Sequence, residues 1–162
     1  MDVMMQALSR LNFCAAIVGP HGSGKSTLMR VLGDRLQQDG WTVRRLFRNL
    51  DSCLSHDQLN AALKDLHKDV MILYDGGGHA GWLEWCRFRR HCRAAGGLII
   101  TAHQPGRLPC LPCTAPTAGL LEQLIHRLAP GIDMDAQALL ETHDGNIRDA
   151  LRSCYYGVNS SA

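Results

Sequence analysis

No stretch of this chain stays apolar for the roughly 18 residues that a membrane-spanning helix needs, so nothing in it reads as a span. Excess charge is scarce as well. Lys and Arg total 17 against 15 for Asp and Glu, a formal net charge of +2, too small to argue for a general nucleic-acid surface. Met1 to Asn12 mixes polar and apolar residues and lacks the charged start and apolar centre of a secretory signal. A cytoplasmic location is therefore the default expectation. There are no internal repeats, low-complexity tracts or long linkers. What remains is a chain of 162 residues, 46% of them hydrophobic. That length and composition suit one compact domain with a true core and at most a small appended subdomain.

Cysteine is the exception to this scarcity, with seven in the chain. The number is odd and most of them fall inside apolar elements, where a thiol acts as a small buried hydrophobe. In a reducing compartment free thiols are expected. Cys110-Leu111-Pro112-Cys113 forms a C-x-x-C pair. His103, or Cys86 with Cys92, could join it around a metal, but no second spacing of metal type supports a zinc site.

The chain is organised around Gly19-Pro20-His21-Gly22-Ser23-Gly24-Lys25-Ser26-Thr27, which fulfils the pattern G-x-x-x-x-G-K-[ST]. The apolar run Phe13 to Val18 before it reads as a short buried strand. Leu28, Met29, Val31, Leu32 and Leu36 after it lie on or near one helical face. Strand, loop and helix together suit a polyphosphate. Glycines let backbone N–H groups turn inward, and the following helix directs its positive end at the anion. Lys25 adds a full charge, and the Ser26 hydroxyl is placed for Mg²⁺.

Helical spacing of Met4, Met5, Leu8 and Leu11 predicts a lead-in helix over Met1 to Leu11. The helix after the loop should run to about Gln38 and stop at Gly40. Trp41 to Phe47 reads as a second strand. Ser55-His56-Asp57-Gln58 fits a capping box for a helix carrying Leu59, Ala62, Leu63 and Leu66. Val70 to Tyr74 is an uninterrupted apolar run that ends on Asp75, as expected of a parallel strand covered on both faces. A carboxylate there lies on the edge where open α/β sheets bind ligands.

Gly76-Gly77-Gly78 reads as a flexible joint into a helix from about Gly81 to Arg93. Arg87, Arg89, Arg90 and Arg93 make that helix basic: a solvated face, or a contact for phosphate, nucleic acid or an acidic partner. Leu98 to His103 is a further buried strand with polar residues at its exit. Thr101, His103 and Gln104 are therefore candidates for the terminal phosphate or a lytic water. The proline-rich stretch Gln104 to Pro116 leaves room for one short edge strand at Leu108 to Leu111. Leu120, Leu121, Leu124, Ile125 and Leu128 predict a helix that ends at Pro130-Gly131. Asp133 caps the next, and Leu139 to Leu151 reads as helix, glycine turn and helix with Asn146 as a cap.

Alternating strands and helices define an α/β domain with a mostly parallel sheet. With the phosphate loop and the strand ending at Asp75 (the Walker A and Walker B patterns), residues 13 to 104 resemble the P-loop NTPases, most closely a compact AAA+ type ATPase. The resemblance implies a three-layer αβα fold with a small C-terminal helical lid. The expected divisions are a nucleotide-binding core over 1–117, a lid over 118–157 and a tail over 158–162. It also implies ATP or another NTP with Mg²⁺, held by residues 19–27 and by Asp75. Leu98 to His103 resembles the sensor-1 strand, with His103 at the polar position. Gly145-Asn146-Ile147-Arg148 resembles the sensor-2 element, which implies that Arg148 closes over the γ-phosphate.

Two departures qualify the resemblance. The glutamate that commonly follows the Walker B aspartate and orients water is replaced here by Gly76, and a positioned general base typically contributes 10²–10⁴-fold. Glu84 lies far along the next helix, and His103 is the substitute the sequence offers. No trans-acting arginine finger is assigned, although Arg107 is noted for that role. Three readings follow. The first is a Mg-ATP switch that hydrolyses slowly or once a protein partner completes the site. The second is a small-molecule kinase of nucleotide or adenylylsulfate type, with Asp51 as base. The third is a non-hydrolysing nucleotide-binding module. In the ATPase branch strand 98–103 lies between the strands ending at Val18 and Asp75; in the kinase branch those two are neighbours.

Overall fold

The computed structural model describes residues 2–48, 59, 61, 63–111, 117–128 and 134–159. Asp51, Cys53, the 55–58 capping box, Cys113, Pro130-Gly131 and Asp133 lie outside these. The chain divides into two compact units, Met1–Val18 with Lys25–Cys113, and Gly19–Gly24 with Thr114–Ala162.

The first unit contains a four-stranded sheet. In chain order its elements are α1 (Asp2–Arg10), β1 (Cys14–Val18), α2 (Lys25–Gln38), β2 (Thr42–Phe47), β3 (Val70–Asp75), a 3₁₀ turn (Gly77–His79), α3 (Trp82–His91), a second 3₁₀ turn (Cys92–Ala94) and β4 (Gly97–Ala102). The strands run in the order β1-β4-β3-β2, and every pair is parallel. β4 therefore lies between β1 and β3.

Period-two alternation distributes each strand's side chains to two cores. Val70, Ile72, Tyr74, Leu98 and Ile100 face Trp85 and Phe88 of α3. Met71, Leu73, Ile99, Ala15 and Ile17 face Met29, Leu32 and Leu36 of α2, together with Leu8 of α1. Three layers result. The central strands β3 and β4 are buried almost throughout, which is why they read as unbroken apolar runs. β2 is partly exposed, with Leu46 its one buried residue, as an edge strand should be. Val31, assigned to the apolar face of α2, is instead 40% exposed. The edge strand expected at Leu108 to Leu111 shrinks to one parallel bridge, Ala16 to Cys110. There the Ala16 N–H donates to the Pro109 carbonyl, and the Leu111 N–H donates to the Ala16 carbonyl.

The second unit has its own apolar cluster. α4 (Ala118–Leu128), α5 (Ala136–Thr142) and α6 (Ile147–Asn159) meet through Leu121, Ile125, Leu140, Ile147 and Ala150. The cap of α5 is Asp135, whose carboxylate accepts from the Gln137 and Ala138 N–H groups, so that helix starts two residues later than expected from Asp133. Asn146 does cap α6: its Oδ1 accepts from the Asp149 N–H at 3.2 Å.

Candidate nucleotide site

Parallel strands place all their C-terminal ends on one edge of the sheet, and Val18 pairs in register with Ala102 there. Chain continuity then brings three segments from that edge: the loop after β1, the turn after β3 and the exit of β4. Gly19–Gly24 joins β1 to α2, so Lys25 and Ser26 open a 14-residue helix, and the loop precedes that helix's positive end. Gly24 adopts a φ of 84°, and among the described residues a Cβ there would meet nothing within 4 Å. Such a position suits a backbone that must curl and still leave space above it. The Ser23 hydroxyl donates to the Pro20 carbonyl at 2.9 Å, which closes the loop on itself. Gly22 has a second reason to be glycine, because a Cβ would lie 1.6 Å from Asn146 Oδ1. Asn146, read from the sequence as a cap, thus also lies against the loop; Arg148, two residues on, is exposed in the first turn of α6.

Asp75 ends β3 half-buried. Thr101, from the neighbouring β4, donates its hydroxyl to Asp75 Oδ1 at 2.6 Å. The same hydroxyl accepts from the Gly76 N–H at 2.8 Å. Thr101 is 3% exposed, so both bonds are shielded from water and orient the carboxylate. Among the described residues Oδ2 receives no hydrogen bond, which leaves it for a cation or its water. Asp75 and Ser26 offer oxygen atoms of the kind Mg²⁺ takes beside phosphate oxygens, and Lys25 offers a cation suited to a polyphosphate.

The segment after Asp75 corrects the sequence reading, since Gly76-Gly77-Gly78 is not a flexible joint. Gly76 sits at a φ of 83°, and a Cβ there would lie 2.4 Å from the Arg48 carbonyl oxygen. At Gly78 a Cβ would lie 2.8 Å from Ala102 Cα. Each glycine admits backbone that any side chain would displace. The turn packs onto the end of β4 and brings the ring of His79 to 5.1 Å from that of His103. His79 escaped the sequence reading because only the close turn brings it to the edge. Gln104, also proposed there, is exposed beyond the strand.

Two other candidates have structural partners. Arg48 and Glu84 form an ion pair at 2.6 Å, and Glu84 also accepts from the Gly81 N–H at 3.3 Å at the start of α3. Arg48 holds the Glu84 carboxyl below its ordinary range, against the opposing effect of burial. The Arg48 guanidinium is raised, first by its bond to Glu84 and then by Tyr74. Burial raises the Tyr74 phenol, and Arg48 partly offsets that. Arg107 donates to the Ala80 carbonyl and lies 5.3 Å over the Trp85 ring. Neither Glu84 nor Arg107 is an uncommitted charge. Among the described residues no cluster of three or more His, Cys, Asp or Glu side chains could hold a metal ion. Cys110 is an exposed free thiol, and burial pushes the Cys92 thiol up to about 12.

A phosphate-loop sequence between β1 and α2, and a carboxylate at the end of β3 with β4 inserted beside β1, describe a RuvB-like P-loop fold. Solved structures of RuvB, an AAA+ P-loop ATPase, are similar over most of the chain. One, described as the Thermotoga maritima RuvB Holliday junction branch migration motor, matches with a TM-score of 0.63 and 18% identity, covering 93% of this chain and 58% of that one. Two point variants of the same RuvB match with TM-scores of 0.62 and 0.63 at 17% and 19% identity, covering 94% and 93% of this chain and 60% and 58% of theirs. This chain thus spans less than two thirds of the RuvB chains, and at such identity the likeness defines the fold. Scans against protein-family models and against curated proteins find no match. No helix among the described residues is long and apolar enough to cross a membrane.

Proposed function

We propose that this chain binds Mg-ATP through residues 19–27 and Asp75. It holds the nucleotide as a switch and hydrolyses it slowly, or faster when a protein partner completes the site. The observation that carries this reading is the strand order β1-β4-β3-β2, which is the ATPase arrangement; the kinase reading expects β1 and β3 to be neighbours. Backbone amides of Gly19–Gly24 and the start of α2 bind phosphate, Lys25 neutralises the outer phosphates, and Ser26 and Asp75 hold Mg²⁺. That ion, when bound, offsets charge on the phosphates. Thr101 fixes Asp75, and Arg148 supplies the cation that distinguishes ATP from ADP.

Slow turnover has support in the turn after β3. Gly76 lies against the Arg48 carbonyl, so no carboxylate fits where water is ordinarily positioned. His103, whose ring lies 5.1 Å from that of His79, takes the proton in this reading. Calorimetry with Mg-ATP tests binding, and phosphate release without any acceptor tests hydrolysis. Absence of uptake of any Mg-nucleotide by folded protein would sink the reading. Turnover that requires an added hydroxyl or sulfate compound would move it to the kinase class.

A further inference from the structure

Unit one carries a second surface, built on α3 and the residues beside it. α3 begins with Trp82 and Leu83, which are 74% and 72% exposed, a large commitment of apolar area to water. Beside them runs an open groove of about 1110 Å³ with Leu59, Leu63 and Phe88 in its lining. That volume exceeds the ~300–1,000 Å³ usual for small-molecule sites. Lys64 and Arg87 supply its cations. Among the described residues the only carboxylate in the lining is Glu84, which is bound to Arg48 at 2.6 Å. Lys64, Arg87, Arg89, Arg90 and Arg93 form no ion pair among the described residues.

We infer that this groove docks an acidic amphipathic helix of a protein partner. An apolar floor with a cationic rim complements a helix whose leucine-type stripe points inward and whose glutamates lie along its edges. Nucleic acid fits less well, because phosphates gain nothing from an aliphatic floor. A second copy fits poorly too, since pairing two α3 helices sets arginine against arginine, and like charges across an interface are strongly unfavourable.

The probe is a synthetic helix of about 18 residues with leucines at i, i+3, i+4 and i+7 and glutamates elsewhere. Binding is read by anisotropy of a label, without nucleotide, so the result is independent of the nucleotide reading. Micromolar binding that weakens with added salt is expected. Leu83→Asp should weaken it at least ~10-fold, and because Leu83 is exposed the variant should keep the wild-type circular dichroism spectrum. Arg87→Glu should weaken the acidic probe ~10-fold and strengthen a lysine-for-glutamate probe, a reversal that lost folding does not produce. Several results overturn the proposal: no binding of the acidic probe, equal binding of a glutamine-for-glutamate probe, tighter binding of an oligothymidylate, or self-association abolished by Leu83→Asp.

Discussion

Two glycine-rich segments follow two parallel strands, and they use the residue for opposite ends. Gly24 in the loop after β1 and Gly76 in the turn after β3 have nearly the same φ, 84° and 83°. Among the described residues nothing lies within 4 Å of a Cβ at Gly24, whereas Gly76 lies against the Arg48 carbonyl. The first glycine would leave room for the proposed ligand; the second lets the protein's own backbone close in. Equal backbone conformation with unequal surroundings makes the pair an internal control, since any difference between matched substitutions reports the surroundings alone.

The largest effect is expected at the closed segment. Gly76→Ala should lose about 3 kcal/mol, from left-handed strain of about 1 and a backbone clash of about 2. Gly76→Glu should lose at least as much and gain no hydrolysis. A stable Gly76→Glu protein with accelerated phosphate release would refute the idea that packing excludes a carboxylate there. Lys25→Ala tests the open segment by ligand rather than by fold. Loss of a charged hydrogen bond worth about 1.5–3 kcal/mol lowers Mg-ATP affinity roughly 10- to 100-fold. An unaltered affinity in calorimetry would remove the phosphate-loop assignment.

Thr101→Val keeps shape but removes both bonds that tie β4 to the turn. It leaves the Gly76 N–H unsatisfied, and a loss of about 1.5 kcal/mol in urea unfolding is expected. If stability is unchanged, the hydroxyl is not what orders Asp75. Gly24→Ala should cost only about 1 kcal/mol of stability, the strain without the clash, while weakening nucleotide binding. Equal losses for Gly24→Ala and Gly76→Ala would erase the contrast between the segments.

The smallest effect concerns pH. Glu84 has a lowered carboxyl in the folded state, so its contribution is present above its ordinary value of 4.5 and is lost as pH falls through the folded value below it. Because its side chain is 38% exposed, solvent screening limits that contribution to under about 1 kcal/mol. Glu84→Gln should flatten the acid limb of the stability curve by that amount, measured by urea unfolding between about pH 3 and 6. An unchanged limb would show that the pair with Arg48 contributes nothing.

Much of this organisation was legible from local pattern. The loop motif, the apolar run ending on Asp75 and the buried strand at 98–102 are contiguous segments, and their periodicity reports burial directly. Asn146 as a cap and Gly40 as a helix stop rest on equally local chemistry. The reading failed where glycine was concerned, because three glycines in a row mark a hinge and a tight approach with the same letters. Local pattern also missed the partners of His79, Glu84 and Arg107. Their partners are His103, Arg48, and the Ala80 carbonyl with the Trp85 ring, and each is brought together only by the fold.

By itself, then, the order of residues determined the layers, the phosphate loop and the aspartate at a strand end, since each depends on neighbours within a turn or two. The tertiary structure alone decided that β4 enters between β1 and β3, that Thr101 holds Asp75, and that backbone occupies the space a glutamate would need. Those outcomes depend on segments far apart in the chain meeting at fixed distances, and no spacing within one segment encodes them.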